Sequence, residues 1–303
     1  MSPRPDDTAA TAAAAERRIA HVLRLLEGGH RTYQRAAVDE ALEIGPAIEP
    51  PLIAILDKVL AEPEAFVAYG NEDYAGHLYA LALLAHLGSA EAHPRVLRLA
   101  RLPEALSEKL LGDAVTELVP LVLYRTSGGS LDALHELCTD PQVALGSRDA
   151  ALGALAYLAL DDEAARARVL ELFASLLSEP DRSIADMDFV SLVANRALDL
   201  YPATIMPTIE QAFRKGRIDP FAIALADFER VMAEPEQDVL AASRETLRGL
   251  TADVHGYVTR WASLEQTRPG EDPARDAKAR QRALDKKRKQ GRKRTRKARK
   301  HRR

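Results

Sequence analysis

Apolar residues recur at spacings of three and four along most of the chain, which is the period of an amphipathic helix. Between 162 and 178, Val169, Leu170, Phe173, Leu176 and Leu177 form one such stripe. Ile19, Val22, Leu23 and Leu26 form another, with Gly28 and Gly29 as its stop. The same period predicts helices over 31–44, 50–61, 71–88, 89–102, 107–126 (bent at Pro120), 130–139 and 147–160. It continues over 183–200, 206–215, 219–232 and 236–264, the last long enough for two helices. Gly45, Gly88 and Gly216 stand where a left-handed residue closes a helix. Asn71, Ser89, Ser130 and Asp162 suit the N-cap, where a side-chain oxygen accepts a free backbone N–H. No strand-like alternation is found, and aromatic residues are only 5 % while Ala and Leu dominate, so an all-α fold is expected.

The helices recur as well. ALEIGPAIEPPLIAIL (41–56) aligns with ALDLYPATIMPTIEQAF (197–213) through Pro46/Pro202, Ala47/Ala203, Pro51/Pro207 and Ile53/Ile209. Ala-Leu pairs beginning at Ala41, Ala82, Ala154 and Ala197 mark equivalent first helices, with room for one degenerate unit over 107–139. Helix pairs repeating every ~40 residues are the signature of a HEAT-like α-solenoid, in which stacked pairs share one continuous core. An irregular helical bundle built from hairpins is the alternative. The expected organisation is a disordered lead over 1–15, a helical-repeat domain over 16–265 and a basic tail over 266–303, disordered or partly helical.

Composition narrows the class. Cys138 is the only cysteine, which excludes an intrachain disulfide and a Cys-rich zinc site and fits a reducing compartment. The N-terminus places two aspartates and an Ala/Thr run where a signal peptide needs a basic start and an apolar stretch. LYALALLAHLG (78–88) is too short to span a bilayer. A cytoplasmic protein is expected.

Charge changes the picture more. The formal net charge is −3, yet 277–303 holds 16 of the 42 Lys and Arg and one of the 45 acids, leaving the remainder of the chain at −18. Lysine is rare before the tail (Lys58, Lys109, Lys215), whereas the tail has seven. The densest stretch is Lys286, Lys287, Arg288, Lys289, Arg292, Lys293, Arg294, Arg296, Lys297, Arg299, Lys300, Arg302 and Arg303. That density suits phosphate neutralisation with counterion release, so RNA or another polyanion is the expected partner of these residues. The tail lacks Phe, Tyr and Trp for base stacking, so little sequence preference is expected. The rival reading docks the tail on the acidic body as an accessory to a protein-binding module. A membrane surface ranks below nucleic acid because no acyl site or apolar anchor accompanies the charge. The concave repeat surface is the expected seat of a protein partner.

Catalytic chemistry finds little footing. Cys138 and His135 share one side of a helix, but no oxyanion turn or nucleophile elbow accompanies them, and a buried thiol is the better reading. Asn71, Glu72, Asp73, His77, His86 and His93 form the densest set of metal-ligating types, yet His77 and His86 are out of helical phase. Asp161, Asp162 and Glu163 open a helix, as do Asp186 and Asp188 with Ser183 as cap. No catalytic residue, metal site or cofactor is assigned.

LLGDAVTEL (110–118), YRTSGG (124–129), YPATIMPTIEQAF (201–213) and GRIDPFAIAL (216–225) carry a resemblance over about 30–245. In these segments the chain resembles the bacterial domain-of-unknown-function family number 1186. The resemblance implies a helical-repeat body with no assigned activity. Many members end in a Cys-rich zinc motif like that at the end of the SecA translocation ATPase. Here nothing after Cys138 is cysteine, so zinc binding is not carried over.

Overall fold

The computed structural model describes residues 5–28, 32–68, 74–178 and 186–259, which fall within one compact unit, Met1–Leu264. All regular elements among the described residues are helices. In chain order they are α1 (Pro5–Leu26), α2 (Arg35–Ile44), α3 (Glu49–Ala61), α4 (Pro63–Phe66), α5 (Gly76–Leu87) and α6 (His93–Ala100). Next come α7 (Glu104–Leu111), α8 (Ala114–Glu117), α9 (Val119–Thr126), α10 (Asp132–Thr139), α11 (Leu145–Asp161) and α12 (Glu163–Ser178). The series ends with α13 (Met187–Leu198), α14 (Met206–Arg214), α15 (Leu225–Met232), α16 (Glu236–Ala252) and α17 (Val254–Thr259). None of the described helices is long and apolar enough to cross a membrane.

The two aligned sequence segments fold alike. Each is a helix, a 3₁₀ turn (Gly45–Ile48 or Ala203–Ile205) and a second helix with proline in its first turn. Proline is tolerated there because the first N–H groups of a helix have no intrahelical partner. The Ala-Leu pairs fall in α2, α5, α11 and α13. These helices pack in succession, α2 on α5, α5 on α9, α9 on α11 and α11 on α13. Their partners do likewise, α3 beside α6 and α12 beside α14, while α3 also touches α5, α10 touches α11 and α12 touches α13.

Two helices sit deepest. Ten of the twelve residues of α5 and thirteen of the seventeen in α11 are buried. Both are apolar around the whole circumference, so neighbours must cover every side. Around α11 these are α8, α9, α10, α12, α13 and α16, and α17 packs on α5. Small residues permit the close approach: a Cβ on Gly153 would lie 3.1 Å from Pro120 Cβ.

Several expected boundaries move. The lead expected over 1–15 is helical from Pro5, consistent with the high helix propensity of its alanines. The stretch 107–126 is three helices rather than one bent at Pro120, because Gly112 (φ 51°) ends α7 and Pro120 lies in the first turn of α9. Ser130 does not cap α10, which has Leu131 in that position. Residues 219–224 precede α15 as a turn, where Asp219 Oδ1 accepts the Phe221 N–H at 2.9 Å. Asp186, not Ser183, caps α13 by accepting the Phe189 N–H at 2.8 Å; Ser183 and Asn71 lie outside the described residues. Ser89 and Asp162 cap as expected, accepting from Ala92 and Ala165.

Candidate functional site

The YRTSGG run closes α9 and forms one wall of a cleft. Tyr124 and Arg125 occupy the last turn of α9, and Gly128 (φ 61°) and Gly129 (φ 86°) carry the chain away in backbone conformations that favour glycine. The Ser127 hydroxyl donates to Tyr124 O at 2.9 Å and accepts the Gly129 N–H at 3.2 Å, which fixes the turn. The opposite wall is the α11–α12 junction. Leu158, Asp161, Asp162 and Ala165 line it, and the cleft encloses about 320 Å³.

The walls are bound to each other and to the preceding helix pair. Tyr124 Oη donates to Asp161 Oδ2 at 2.5 Å, and its ring meets Tyr157 edge-on at 5.8 Å. Burial, then the hydrogen bond to an anionic acceptor, pushes the Tyr124 hydroxyl up to about 12. Arg125 donates from Nε to Ala85 O (3.1 Å) and from Nη2 to His86 O (3.3 Å), at the carbonyl end of α5 where a cation is favoured. A tyrosine held as the neutral donor offers no nucleophile, so the cleft is equipped for binding rather than bond-making.

The other sequence candidates separate. Cys138 is fully buried, and its Sγ donates to the backbone carbonyl of His135 at 3.2 Å, while the His135 side chain is exposed. Burial pushes the thiol up to about 12, so it stays protonated and inert. His77 is buried, donates from Nε2 to Leu110 O at 2.6 Å and leaves Nδ1 without a partner. Its burial lowers the imidazole to about 4. His93 Nδ1 donates to Thr126 Oγ1 at 2.9 Å, because that hydroxyl already donates to Val122 O. His86 is lowered by burial and then by the Arg125 charge. Glu72 and Asp73 lie outside the described residues, and no group of three His, Cys, Asp or Glu side chains gathers among the described ones.

The three acids that open α12 divide their roles. Asp162 is the cap, and Glu163 pairs with Arg166 (2.6 Å), which also binds Glu236 of α16 at 2.5 Å. Asp161 faces the cleft and binds Tyr124, a contact that helix-start reasoning missed. The signal that marks it is distance along the chain: 37 residues, close to the repeat length. Asp188 lies exposed in the first turn of α13. The thirteen basic residues from Lys286 to Arg303 lie outside the described residues.

Fold and cleft together define an all-α protein of successively packed helix pairs with a polar cleft at one junction. The chain belongs to the family described as "Protein of unknown function (DUF1186)", whose model matches residues 17–264. It is similar to an uncharacterized protein of Chlamydia muridarum (strain MoPn / Nigg), 27 % identical over 220 residues, covering 73 % of this chain and 87 % of the relative. An uncharacterized protein of Chlamydia trachomatis serovar D is likewise 27 % identical over 220 residues, covering 73 % of this chain and 86 % of the relative. No solved structure matches.

Proposed function

We propose that the chain is a cytoplasmic interaction scaffold, a HEAT-like α-solenoid whose basic tail engages RNA or another polyanion. The observation that supports the scaffold is the spacing of the bonds between helix pairs. Ser89 binds Glu49, Arg95 binds Asp57, Arg125 binds Ala85 O, and Arg217 binds Leu177 O, each across 38 to 40 residues. Arg166 to Leu200 O and Arg196 to Asp149 continue the series at 34 and 47 residues. Each pair therefore rests on the next, as stacking repeats require. A protein partner belongs on the concave side of that stack.

The tail reading rests on the charge of 277–303, which exceeds anything the body needs for folding. Thirteen Lys and Arg among the last eighteen residues supply phosphate contacts without the aromatics that read bases. Salt-titrated binding of structured RNA to the intact chain and to a chain lacking 277–303 tests it. With about half of the basic residues engaged, affinity falls about 10³-fold from 50 to 200 mM salt. Deletion abolishes it. Binding that ignores salt, or survives the deletion, refutes the tail reading and leaves a protein-binding module.

A further inference from the structure

The cleft at the α9 and α11–α12 junction holds more acceptor capacity than its own donors use. Asp161 gives one oxygen, Oδ2, to Tyr124, and Asp162 gives one, Oδ2, to the Ala165 N–H. Neither carboxylate has an ion-pair partner among the described residues, although both line the same cleft. Arg125 lines it too, but its Nε and Nη2 are taken by the carbonyls of Ala85 and His86. The remaining lining is the Tyr124 ring, two glycines, Leu158 and Ala165.

The class of ligand follows by comparing what each kind needs. An anion requires free donors, and the Tyr124 proton and two Arg125 nitrogens are already engaged. A bare divalent cation takes six or more oxygens, whereas two half-used carboxylates offer two. An organic cation on an apolar stem suits the whole surface: carboxylate oxygens for the head, an aromatic face and Leu158 for the stem. At about 320 Å³ the cleft is at the lower end of ligand pockets, the size of one long side chain rather than a nucleotide. A guanidinium matches better than an ammonium, because its planar fork reaches two oxygens and stacks on a tyrosine ring.

We propose that this cleft receives an arginine side chain of a protein partner, with the guanidinium on Asp161 and Asp162 and the stem along Tyr124 and Leu158. The −18 charge of the body outside the tail favours the approach of such a basic segment. The cleft deepens the scaffold reading, on which its role rests, by assigning one subsite and its chemistry. Failure here leaves the tail's nucleic-acid binding untouched, because the two are read with different ligands.

The test titrates the full chain with the capped tripeptide acetyl-Gly-Arg-Gly-amide, followed by NMR or calorimetry. Saturable binding is expected, weakened at least tenfold by Asp161→Asn and severalfold when lysine replaces arginine in the peptide. Asp188→Asn, an exposed acid on α13, leaves it unchanged. No saturation, or equal losses in Asp161→Asn and Asp188→Asn, overturns the site in favour of diffuse attraction. A third arm uses the full-length chain with its tail arginines changed to glutamine. Binding that appears only there shows that the tail occupies the cleft and overturns the assignment to a partner.

Discussion

Two ion pairs join successive helix pairs with the same geometry and different surroundings. Arg196 in α13 clasps Asp149 in α11 through Nε–Oδ1 (2.9 Å) and Nη2–Oδ2 (2.8 Å). Arg95 in α6 clasps Asp57 in α3 through the same atoms at 3.1 and 3.2 Å. The Asp149 side chain is 8 % exposed and that of Asp57 44 %. Both are forked, charge-assisted contacts that set the register between neighbours. What differs is the cost of taking the ions out of water, and that cost decides what each pair is worth. A repeat can thus use one topological contact for two purposes: an inner one the fold depends on, and an outer one it tolerates losing.

The largest effect is expected at the inner pair. Asp149→Ala strands the Arg196 guanidinium among Tyr157, Asp199 and the Gly153 turn of α11, and loses about 3–5 kcal/mol, measured by urea denaturation of the full chain. The double variant Asp149→Leu, Arg196→Met removes both charges and should regain most of that loss. If the double variant is as unstable as the single one, shape rather than charge governs this junction, and the comparison needs a different cause.

His77 sharpens the comparison with a buried group that has no ionic partner at all. Its folded value of about 4 lies below the ordinary 6.5, with burial as the main cause. Between those values the unfolded chain takes up a proton and the folded chain does not. Stability from this residue is therefore complete above about pH 6.5 and is lost progressively as pH falls to 4, by about 3 kcal/mol. Urea midpoints from pH 7 to 4 should fall more steeply in the wild type than in His77→Gln. Parallel slopes would mean that His77 protonates in the fold as readily as in the unfolded chain.

How much of this was legible in the sequence depends on the kind of signal. Helical spacing located nearly every helix, because apolar residues three and four apart must share one face. The Ala-Leu pairs picked out α2, α5, α11 and α13, the helices that pack in succession, because small residues mark where backbones approach. Helix starts were less legible: Ser130 has capping chemistry, but Ser127 and the two following glycines use that stretch as a turn. The cleft was the least legible. Tyr124 and Asp161 each satisfy a local explanation, the end of one helix and the approach to another, and only the fold brings them to 2.5 Å. Arg196 and Asp149 were hidden for the same reason, since a charge inside an apolar helix face reads as noise until its partner is in place.

The smallest effect is expected at the outer pair, and it is the one that isolates burial as the cause. Arg95→Ala should cost no more than about 1 kcal/mol, because both ions are hydrated once separated and the Arg95 side chain keeps a second contact, Nη1 to Glu91 O, only at the surface. Raising the salt from 0.1 to 1 M should shrink the wild-type advantage over Arg95→Ala further, since the Debye length falls from about 10 to about 3 Å. The same salt step should leave the Asp149→Ala penalty nearly unchanged, because the inner pair is shielded from mobile ions. The distance between the two responses is the measurement that matters. Equal salt sensitivity would place Asp149 in water, and the distinction between inner and outer contacts would disappear with it.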